Sequence, residues 1–446
     1  MFQSVHILTG EVLFSQPPQS RAEFSDGLAA LRAEQQAFAR LPVTGRTALL
    51  LQFAERLSQN REDLAKMVCE EVGRCLRECL AELDKSVELI RYYAHLAPEL
   101  LAHKTIATQA SLSQVRFEPL GVVLAVMPWN YPVWQVLRFA VPALCAGNAC
   151  MVKPAPSVAR VSKALLDLAD GLPLRAAWLA HEDTEAAVAA CDALAFTGST
   201  ETGRHLAALA GRYLKKSVLE LGGSNAFIVL PDADLAQAAK DACYSRFRDA
   251  GQSCNAAKRI IVADEIAEPF IELFLNECAK LKTGNPMSDE TTLASLHSSA
   301  LRGRVHEQVC DAAENGAEVL CGGFIPEGAG HFYPATVLDK VSPECRVYHE
   351  EVFGPVAVLL RARDADHALA LANDNPFGLG ASIYSADEAA AWRYAERLET
   401  GAVFINRHTS SDLRLPFGGV KASGYGRELS EFGLYEFVNV KSYWQK

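Results

Sequence analysis

The 446-residue sequence predicts an α/β protein built on doubly wound parallel sheets, with length enough for two or three domains. Two observations support this prediction. Short apolar runs without polar alternation, which are typical of strands buried on both faces, recur along the chain. Stretches of helical length separate these runs, so strands and helices alternate in the order that right-handed crossovers require.

The individual elements follow from apolar runs that end at glycine, proline or polar turns. Residues 119–152 contain one charged residue, Arg138, but internal prolines break the run, which predicts the centre of a sheet rather than a membrane span. The predicted strands are 121–127, 149–152, 192–196, 217–221, 225–230, 259–262, 356–360, 381–385 and 401–406. The predicted helices are 133–147, about 158–170, the segment after "TGSTETG", and a long one from about Asp234 to Gly251.

Composition narrows the classes of function. The formal net charge of −11 argues against nucleic acid or an anionic membrane as a partner, and an anionic substrate would need local arginines. The N-terminal "MFQSVHILTG" lacks the basic region and long apolar core of a signal peptide. Twelve cysteines without a C-x-x-C pair predict reduced thiols in the cytoplasm. No H-E-x-x-H metal motif and no G-x-S-x-G serine-hydrolase elbow occur.

Polar residues follow four of the predicted strands, at the edge where open parallel sheets bind ligands. Asn130 follows the first strand and Lys153 the second. Gly198–Ser199 follows the third, and Glu220 lies near the end of the fourth. The first three could equally be a turn residue, a solvated strand exit and a helix N-cap. Glu220 is harder to explain in that way, because a buried carboxylate is unfavourable unless it is paired or functional.

Cys254 lies in the polar segment "GQSCNAAK", between a predicted helix and a predicted strand. Structural cysteines prefer apolar stripes, where they act as small hydrophobic residues. Taken alone, the segment still favours an inert loop thiol. The other cysteines, including the helical pair Cys75 and Cys79, are interpreted as packing residues.

Eight motifs, all in sequence order, change this interpretation. They are "PWNYP", "MVKPAP", "FTGSTETG", "LELGGSN", "GQSCNAAKR", "EEVFGPV", "NPFGLGASIYS" and "LPFGGVKASGYGRE". Together they resemble the aldehyde dehydrogenase superfamily over almost the whole chain. The segments "WQVLRFA", "SDLRLPFGGVKASGYGREL" and "FVNVKSYW" are most similar to the bacterial NAD(P)-dependent succinate-semialdehyde dehydrogenases.

The resemblance implies three structural units. A Rossmann-type cofactor-binding domain would comprise residues 1–104 and 120–222, and a second α/β domain carrying the nucleophile would comprise 223–422. A small β element, 105–119 with 436–446, would mediate oligomerisation as a homodimer or homotetramer. In the resembling family these last two segments are expected to pair between subunits, since an isolated monomer would leave sheet edges open.

The resemblance also implies oxidation of an aldehyde to a carboxylic acid through a cysteine thiohemiacetal and thioester. Cys254 matches the nucleophile, the Asn130 amide and the Cys254 N–H match the oxyanion hole, and Glu220 matches the general base. A CoA-acylating relative would lack the glutamate, and a non-catalytic protein on this fold would be expected to lose one of the three. Their presence favours hydrolytic release.

The predicted cofactor is NADP or NAD. No G-x-G-x-x-G fingerprint occurs, so the site is inferred from the resemblance, with the pyrophosphate at a helix N-terminus. The residues that match this site are Trp129, Lys153, Gly198, Ser199, Leu221, Glu351 and Phe353. Pro156 stands where NAD-preferring relatives often carry a glutamate, so no carboxylate would repel a 2′-phosphate and we expect NADP to be used.

The predicted substrate is a small aldehyde with a terminal carboxylate, succinate semialdehyde above others, with short neutral or other ω-substituted aldehydes as the alternative. Arg138 lies two helical turns, about 12 Å of rise, after Asn130, and it matches an arginine that binds the distal carboxylate in the resembling enzymes. Ser411 and Arg414 are candidates to complete this clamp. Alternatively, Arg138 pairs with a neighbouring acid and holds two elements together.

Overall fold

A computed structural model describes all 446 residues of the chain. The strands are β1 (Phe2–Val5), β2 (Val12–Gln16), β3 (Lys104–Thr105), β4 (Leu112–Pro119), β5 (Val122–Val126), β6 (Ala149–Lys153), β7 (Leu174–Ala176), β8 (Ala193–Thr197), β9 (Lys216–Glu220), β10 (Asn225–Val229), β11 (Ala257–Ala263), β12 (Glu318–Cys321), β13 (Thr336–Asp339), β14 (Val356–Ala362), β15 (Phe377–Gly378), β16 (Ala381–Tyr384), β17 (Val403–Ile405), β18 (Val420–Lys421), β19 (Gly424–Tyr425) and β20 (Val438–Gln445).

The helices are α1 (Arg21–Ala39), α2 (Val43–Gln59), α3 (Arg61–Val72), α4 (Leu76–Leu100), α5 (Trp134–Cys145), α6 (Ala159–Asp167), α7 (Thr184–Ala190), α8 (Thr200–Arg212), α9 (Leu235–Phe247), α10 (Ala267–Cys278), α11 (Ser299–Glu314), α12 (Arg346–His349), α13 (Ala365–Asn373), α14 (Glu388–Ala395) and α15 (Ser430–Tyr435). None of them combines the length and the apolar character needed to cross a bilayer.

The first large sheet has the strand order β19-β9-β8-β5-β6-β7, and all of its pairs are parallel except β19 with β9. Side chains of β5 alternate between two cores: Val123 and Ala125 pack on one face, Val122 and Leu124 on the other. This confirms the prediction of strands buried on both faces. The chain runs from β5 outward to β6 and returns to β8 on the other side, so a ligand crevice opens beyond the carboxyl ends of β5 and β8.

The second large sheet has the order β12-β13-β14-β11-β10-β16-β17, parallel except for the edge pair β12 and β13. It packs around a separate hydrophobic core. All nine strands predicted from the sequence are present in the two sheets. The helix predicted to reach Gly251 ends at Phe247 instead, and a 3₁₀ turn with left-handed residues covers Arg248–Gly251.

A third sheet, of order β20-β4-β3, joins the C-terminal strand to the hairpin predicted at 105–119. β20 pairs antiparallel with β4 over eight residues, from Val438 opposite Pro119 to Gln445 opposite Leu112. The expected pairing of these segments between subunits is therefore wrong, because they pair within one chain. Phe437 and Val438 are buried in the main core, which anchors the start of β20 beside β4 of its own chain.

Candidate active site

The loop that carries Cys254 makes an unusually tight turn after α9. Asp249, Ala250 and Gly251 are consecutive left-handed residues, with φ of 54°, 52° and 72°. A Cβ on Gly251 would lie 2.3 Å from the Gly354 carbonyl oxygen, so only glycine fits there. The turn brings Cys254 to the junction between the two large sheets, where the thiol is accessible from a cavity instead of being enclosed in a core.

Two cavities meet at Cys254, which lines both. The larger has a volume of about 630 Å³ and is lined by α4, α5, α9 and the cysteine loop. The smaller, of about 350 Å³, lies at the carboxyl ends of the first sheet and is lined by residues that follow β5, β8 and β9 and by α11. A nucleophile shared by two cavities can react with one ligand while a second ligand is held on its other side.

The oxyanion-hole donors predicted from the sequence lie beside the nucleophile. The Asn130 amide nitrogen donates one hydrogen bond to the Gln252 carbonyl at 3.0 Å, which leaves its second hydrogen free. Asn130 lines the smaller cavity together with Cys254. The Cys254 backbone N–H makes no hydrogen bond within the chain. Each residue thus keeps one N–H without a partner in the chain, and their role as oxyanion donors remains a prediction.

Glu220 lies at the end of β9, 2% exposed, in a cluster of three buried charges rather than in a cavity wall. Its carboxylate is 3.7 Å from Arg138 Nη2, and Arg138 Nε is 2.5 Å from Glu428 Oε2. Neither Glu220 oxygen accepts a hydrogen bond. Burial raises the pKa of Glu220 to about 8, although Arg138 opposes this rise, and the negative charge of Glu428 adds to it.

The Cys254 thiol is protonated at neutral pH in this arrangement. Burial raises its pKa to about 11, Arg138 lowers it, and Glu220 raises it further. A base must therefore remove the proton before the sulfur can attack. Glu220 is the carboxylate whose charge acts on this thiol most strongly.

A buried lysine ties the cysteine loop to the smaller cavity. The Lys258 ammonium donates to the Cys254 carbonyl at 2.9 Å and to Glu351 Oε1 at 2.6 Å. It also donates to the carbonyls of Gly223 and Ser253. The four acceptors compensate for the complete burial of the charge, and they fix Glu351 relative to the nucleophile.

The chain matches the Aldehyde dehydrogenase family over residues 1–443. The chain belongs to this family. It is 40% identical to a succinate semialdehyde dehydrogenase [NAD(P)+] of Escherichia coli K12, with 99% of this chain and 97% of that protein covered. It is 41% identical to a succinate-semialdehyde dehydrogenase [NADP(+)] of Deinococcus radiodurans, covering 99% and 94%. A solved succinic semialdehyde dehydrogenase of Streptococcus pyogenes, in complex with NADP+, superposes with a TM-score of 0.97 at 33% identity, covering 100% and 99%.

The smaller cavity of this aldehyde dehydrogenase fits a nicotinamide dinucleotide. Trp129, Gly198, Ser199, Leu221, Glu351 and Phe353, all predicted from the sequence, line it. Ser199 caps α8, whose free N–H groups favour a phosphate. A Cβ on Gly222 would lie 2.3 Å from Glu351 Oε2, so a side chain there would displace the Glu351 carboxylate.

Two of the predicted cofactor residues lie outside both cavities. Lys153 ends β6, with its ammonium 5.8 Å from the centre of the Phe2 ring, and burial lowers its pKa. Pro156 begins the 3₁₀ turn that follows. The structure therefore brings the nicotinamide side of the predicted site together, and the assignment of these two residues to the cofactor remains a prediction.

The predicted carboxylate clamp is only partly assembled in the larger cavity. Arg138 and Ser411 line it. Arg138, however, is paired with Glu428, as the alternative interpretation expected, and only 2% of its side chain is exposed. Arg414 does not line the cavity: its side chain is 77% exposed and pairs with Asp412, two residues away. The structure does not bring Arg414 to this cavity, because its charge is satisfied locally and at the surface, and its assignment to the clamp remains a prediction.

Four charged residues of the site were missed in the sequence. Lys85 and Arg248 line the larger cavity, Lys258 holds the cysteine loop, and Glu428 pairs with Arg138. Arg248 and Lys258 lie within six residues of Cys254, and this proximity was the available signal. Glu428 ends the motif "LPFGGVKASGYGRE", which was the signal for it, whereas Lys85 comes from a distant segment that carries no motif.

Proposed function

We propose that this aldehyde dehydrogenase oxidises succinate semialdehyde to succinate with NADP or NAD. The observation that supports this most strongly is the charge of the larger cavity. Seven lysines and arginines line it against four acids, in a chain whose net charge is −11. A cationic cavity that ends at a cysteine nucleophile suits an aldehyde with an anionic tail, because the tail is drawn in as the carbonyl reaches the sulfur.

The first half of the reaction takes place on Cys254. A base, for which Glu220 is the candidate, takes the thiol proton and passes it to solvent. The sulfur then adds to the aldehyde carbon, and the resulting oxyanion accepts hydrogen bonds from the Asn130 amide and the Cys254 N–H. Each donor of this kind typically raises the rate about 10²- to 10³-fold. Glu351 and Phe353 would hold the nicotinamide, which would supply the hydride acceptor needed to oxidise the thiohemiacetal to a thioester.

The second half of the reaction releases the acid, and it requires the Glu220 side chain to move. In its resting position the Glu220 carboxylate faces Arg138, and it makes no hydrogen bond that would hold it there. Rotation of the side chain toward Cys254 lets it take a proton from water, whose oxygen adds to the thioester carbon. The carbon–sulfur bond then breaks, the sulfur leaves as a thiolate, and the carboxylic acid is formed.

NADP use is supported by residue 156. Pro156 offers no carboxylate next to the strand exit at Lys153, so a 2′-phosphate would meet no repulsion there. The Escherichia coli relative is named for both cofactors and the Deinococcus radiodurans relative for NADP.

The test is a panel of aldehydes, each assayed with NADP and with NAD by the formation of reduced cofactor. We expect kcat/KM for succinate semialdehyde to exceed that for butanal, which has the same chain length without the carboxylate, by at least about tenfold. Equal values would leave a short neutral aldehyde as the better substrate. A preference for NAD beyond about a thousandfold, some 4 kcal/mol, would contradict the cofactor proposal.

We also propose that the enzyme works as a homodimer or homotetramer in the cytoplasm. β20 forms an open sheet edge with Val440 and Trp444 exposed, and a second chain would cover both. All twelve cysteines are free thiols, which suits a reducing compartment. Light scattering should give a multiple of the 48.4 kDa chain mass, and a stable monomer at micromolar concentration would contradict the oligomer.

A further inference from the structure

One histidine that lines neither cavity packs against a wall of the smaller one. The His297 imidazole stacks on the Trp129 indole, with ring centres 4.1 Å apart and an angle of 9° between the planes. Trp129 lines the smaller cavity and also meets the Phe353 ring edge to face at 5.8 Å. The indole is therefore held by two rings, and His297 is the one that lies outside the predicted nicotinamide site.

The same imidazole joins Trp129 to the turn that follows β6. A hydrogen bond of 2.8 Å links His297 Nε2 to the Ser157 hydroxyl. Ser157 lies in the 3₁₀ turn Pro156–Val158, next to the residue at which a 2′-phosphate is expected. Trp129 and Ser157 follow two different strands, β5 and β6, so one ring couples the exits of both strands.

The backbone of His297 makes a separate contact with the cysteine loop. Its N–H donates to Gln252 Oε1 at 2.9 Å, and the Gln252 carbonyl accepts from the Asn130 amide. Because the bond to Gln252 comes from the backbone, replacement of the His297 side chain leaves it in place. Loss of the imidazole should thus disturb the wall of the cofactor cavity without disturbing Asn130.

The imidazole is neutral at physiological pH, since burial lowers the pKa of His297 to about 4. A neutral ring has no charge to desolvate when it stacks on the indole, and its Nε2 stays available to Ser157. The contacts of His297 are therefore the same over the whole pH range in which a dehydrogenase is assayed. This suits a fixed spacer and excludes a part as an acid or base.

We propose that His297 is a positioning residue for the cofactor, which holds the Trp129 ring and the Pro156–Val158 turn at a fixed separation so that both ends of the dinucleotide bind at once. This inference rests on the proposed function. A rigid separation favours a ligand that spans both contacts, because less conformational freedom is lost when the ligand binds.

The experiment measures the dissociation constant of NADP by calorimetric titration without aldehyde, and kcat with succinate semialdehyde. His297→Ala removes the stack and the hydrogen bond, each of which contributes about threefold, so the dissociation constant should rise about tenfold. The value of kcat should fall less than about threefold, since the Gln252 bond is retained.

His306→Ala is the matched control. His306 is also half-buried and hydrogen-bonded, with Nδ1 3.1 Å from the Tyr333 hydroxyl, but it lines neither cavity. This variant controls for the loss of a packed histidine, and it should keep the dissociation constant of NADP within about twofold of the wild-type value.

Two further variants separate the two contacts of the imidazole. His297→Phe keeps a ring that can stack on Trp129 but loses the bond to Ser157, and Ser157→Ala loses the same bond from the other side. Each should raise the dissociation constant about threefold. The double variant should be no weaker than either single one, because both changes remove one interaction, and additive effects would contradict the coupling through His297.

The outcomes separate this proposal from the one on which it rests. A wild-type enzyme that binds neither NADP nor NAD overturns the proposed function. If the wild type binds NADP and His297→Ala binds it equally well, or loses no more than His306→Ala, the positioning role is wrong and the cofactor stands. A fall in kcat as large as the loss of binding would also contradict the positioning role, because Asn130 would then have moved.

Discussion

Arg138, which lines the larger cavity, forms a buried cluster with Glu428 and with Glu220, the proposed catalytic base. Arg138 lies between two carboxylates, with Glu428 at 2.5 Å and Glu220 at 3.7 Å. Burial raises the pKa of both glutamates, and Arg138 opposes the rise in each. The closer contact with Glu428 leaves Glu220 the less restrained of the two, as a side chain that moves during catalysis requires.

Glu220 should give the reaction its pH dependence. The base is the carboxylate form, and its pKa of about 8 means that the fraction in this form grows as the pH rises toward 8. The rate of thioester hydrolysis should therefore rise about tenfold per pH unit below pH 8 and level off above it. Glu220→Gln should lower kcat about 10²- to 10⁴-fold and should remove this pH dependence. A variant with the wild-type pH profile would show that another group is the base.

Removal of Arg138 should lower the stability of the protein as well as its activity. Arg138→Met leaves two buried carboxyl groups without their counter-charge, which typically costs about 3–5 kcal/mol. The loss should be largest at high pH and smaller at low pH, because both glutamates have raised pKa values and are neutral once protonated. Urea unfolding of the wild type and the variant at two pH values measures this loss of stability. Arg414→Met, at an exposed pair, should leave the unfolding midpoint unchanged, and an equal loss in both variants would contradict the buried cluster.

The residues that could be predicted from the sequence are those whose neighbours in the chain carry the signal. Cys254 and Asn130 lie in short motifs, and both line the smaller cavity. Lys85 is different, because its partner Ser411 lies 326 residues away and the segment around it has the pattern of an ordinary amphipathic helix. Arg414 is of the residue type expected to bind a carboxylate, but nothing in the sequence showed that Asp412 would satisfy its charge.

At the scale of elements, the turn between α9 and β11 positions the nucleophile. Arg74 of the α3–α4 connection donates to Asp249 at 2.6 Å and also pairs with Glu82 of α4, so a buried network that includes α4 holds the turn. Left-handed residues other than glycine are unfavourable and persist only where the surroundings hold them. The sequence predicted a helix up to Gly251, since helical periodicity carries no sign of such an interruption.

Gly251→Ala should disrupt this turn. The new Cβ would clash with the Gly354 carbonyl, and residue 251 would have to keep a left-handed backbone conformation that alanine disfavours. We expect kcat/KM to fall at least about 100-fold as Cys254 moves away from Asn130, with a clear loss of stability. Gly303→Ala is the matched control: it lies inside α11 with open space around it, and should be neutral or stabilising by up to about 1 kcal/mol. Similar effects of the two substitutions would contradict the role of the turn.

At the scale of the whole molecule, two sheets with separate cores meet at one cysteine. The first sheet supplies Asn130, Glu220 and the cofactor cavity, and the second supplies the loop of Cys254. The strands of the two sheets could be predicted because each is an apolar run of its own, whereas their order within each sheet comes from the structure. The pairing of β20 with β4 could not, because a terminal strand gives no sign of which chain it will join.

Cys254 is proposed to form the covalent bond to the substrate, and the initial rate of NADPH formation by Cys254→Ala with succinate semialdehyde tests this role. Cys310→Ala, at an exposed thiol that lines neither cavity, is the control. We expect the rate to fall at least about a thousandfold in Cys254→Ala, some 4 kcal/mol of transition-state stabilisation, and to keep its wild-type value in Cys310→Ala. A Cys254→Ala enzyme that keeps more than about a tenth of the wild-type rate would contradict the covalent mechanism.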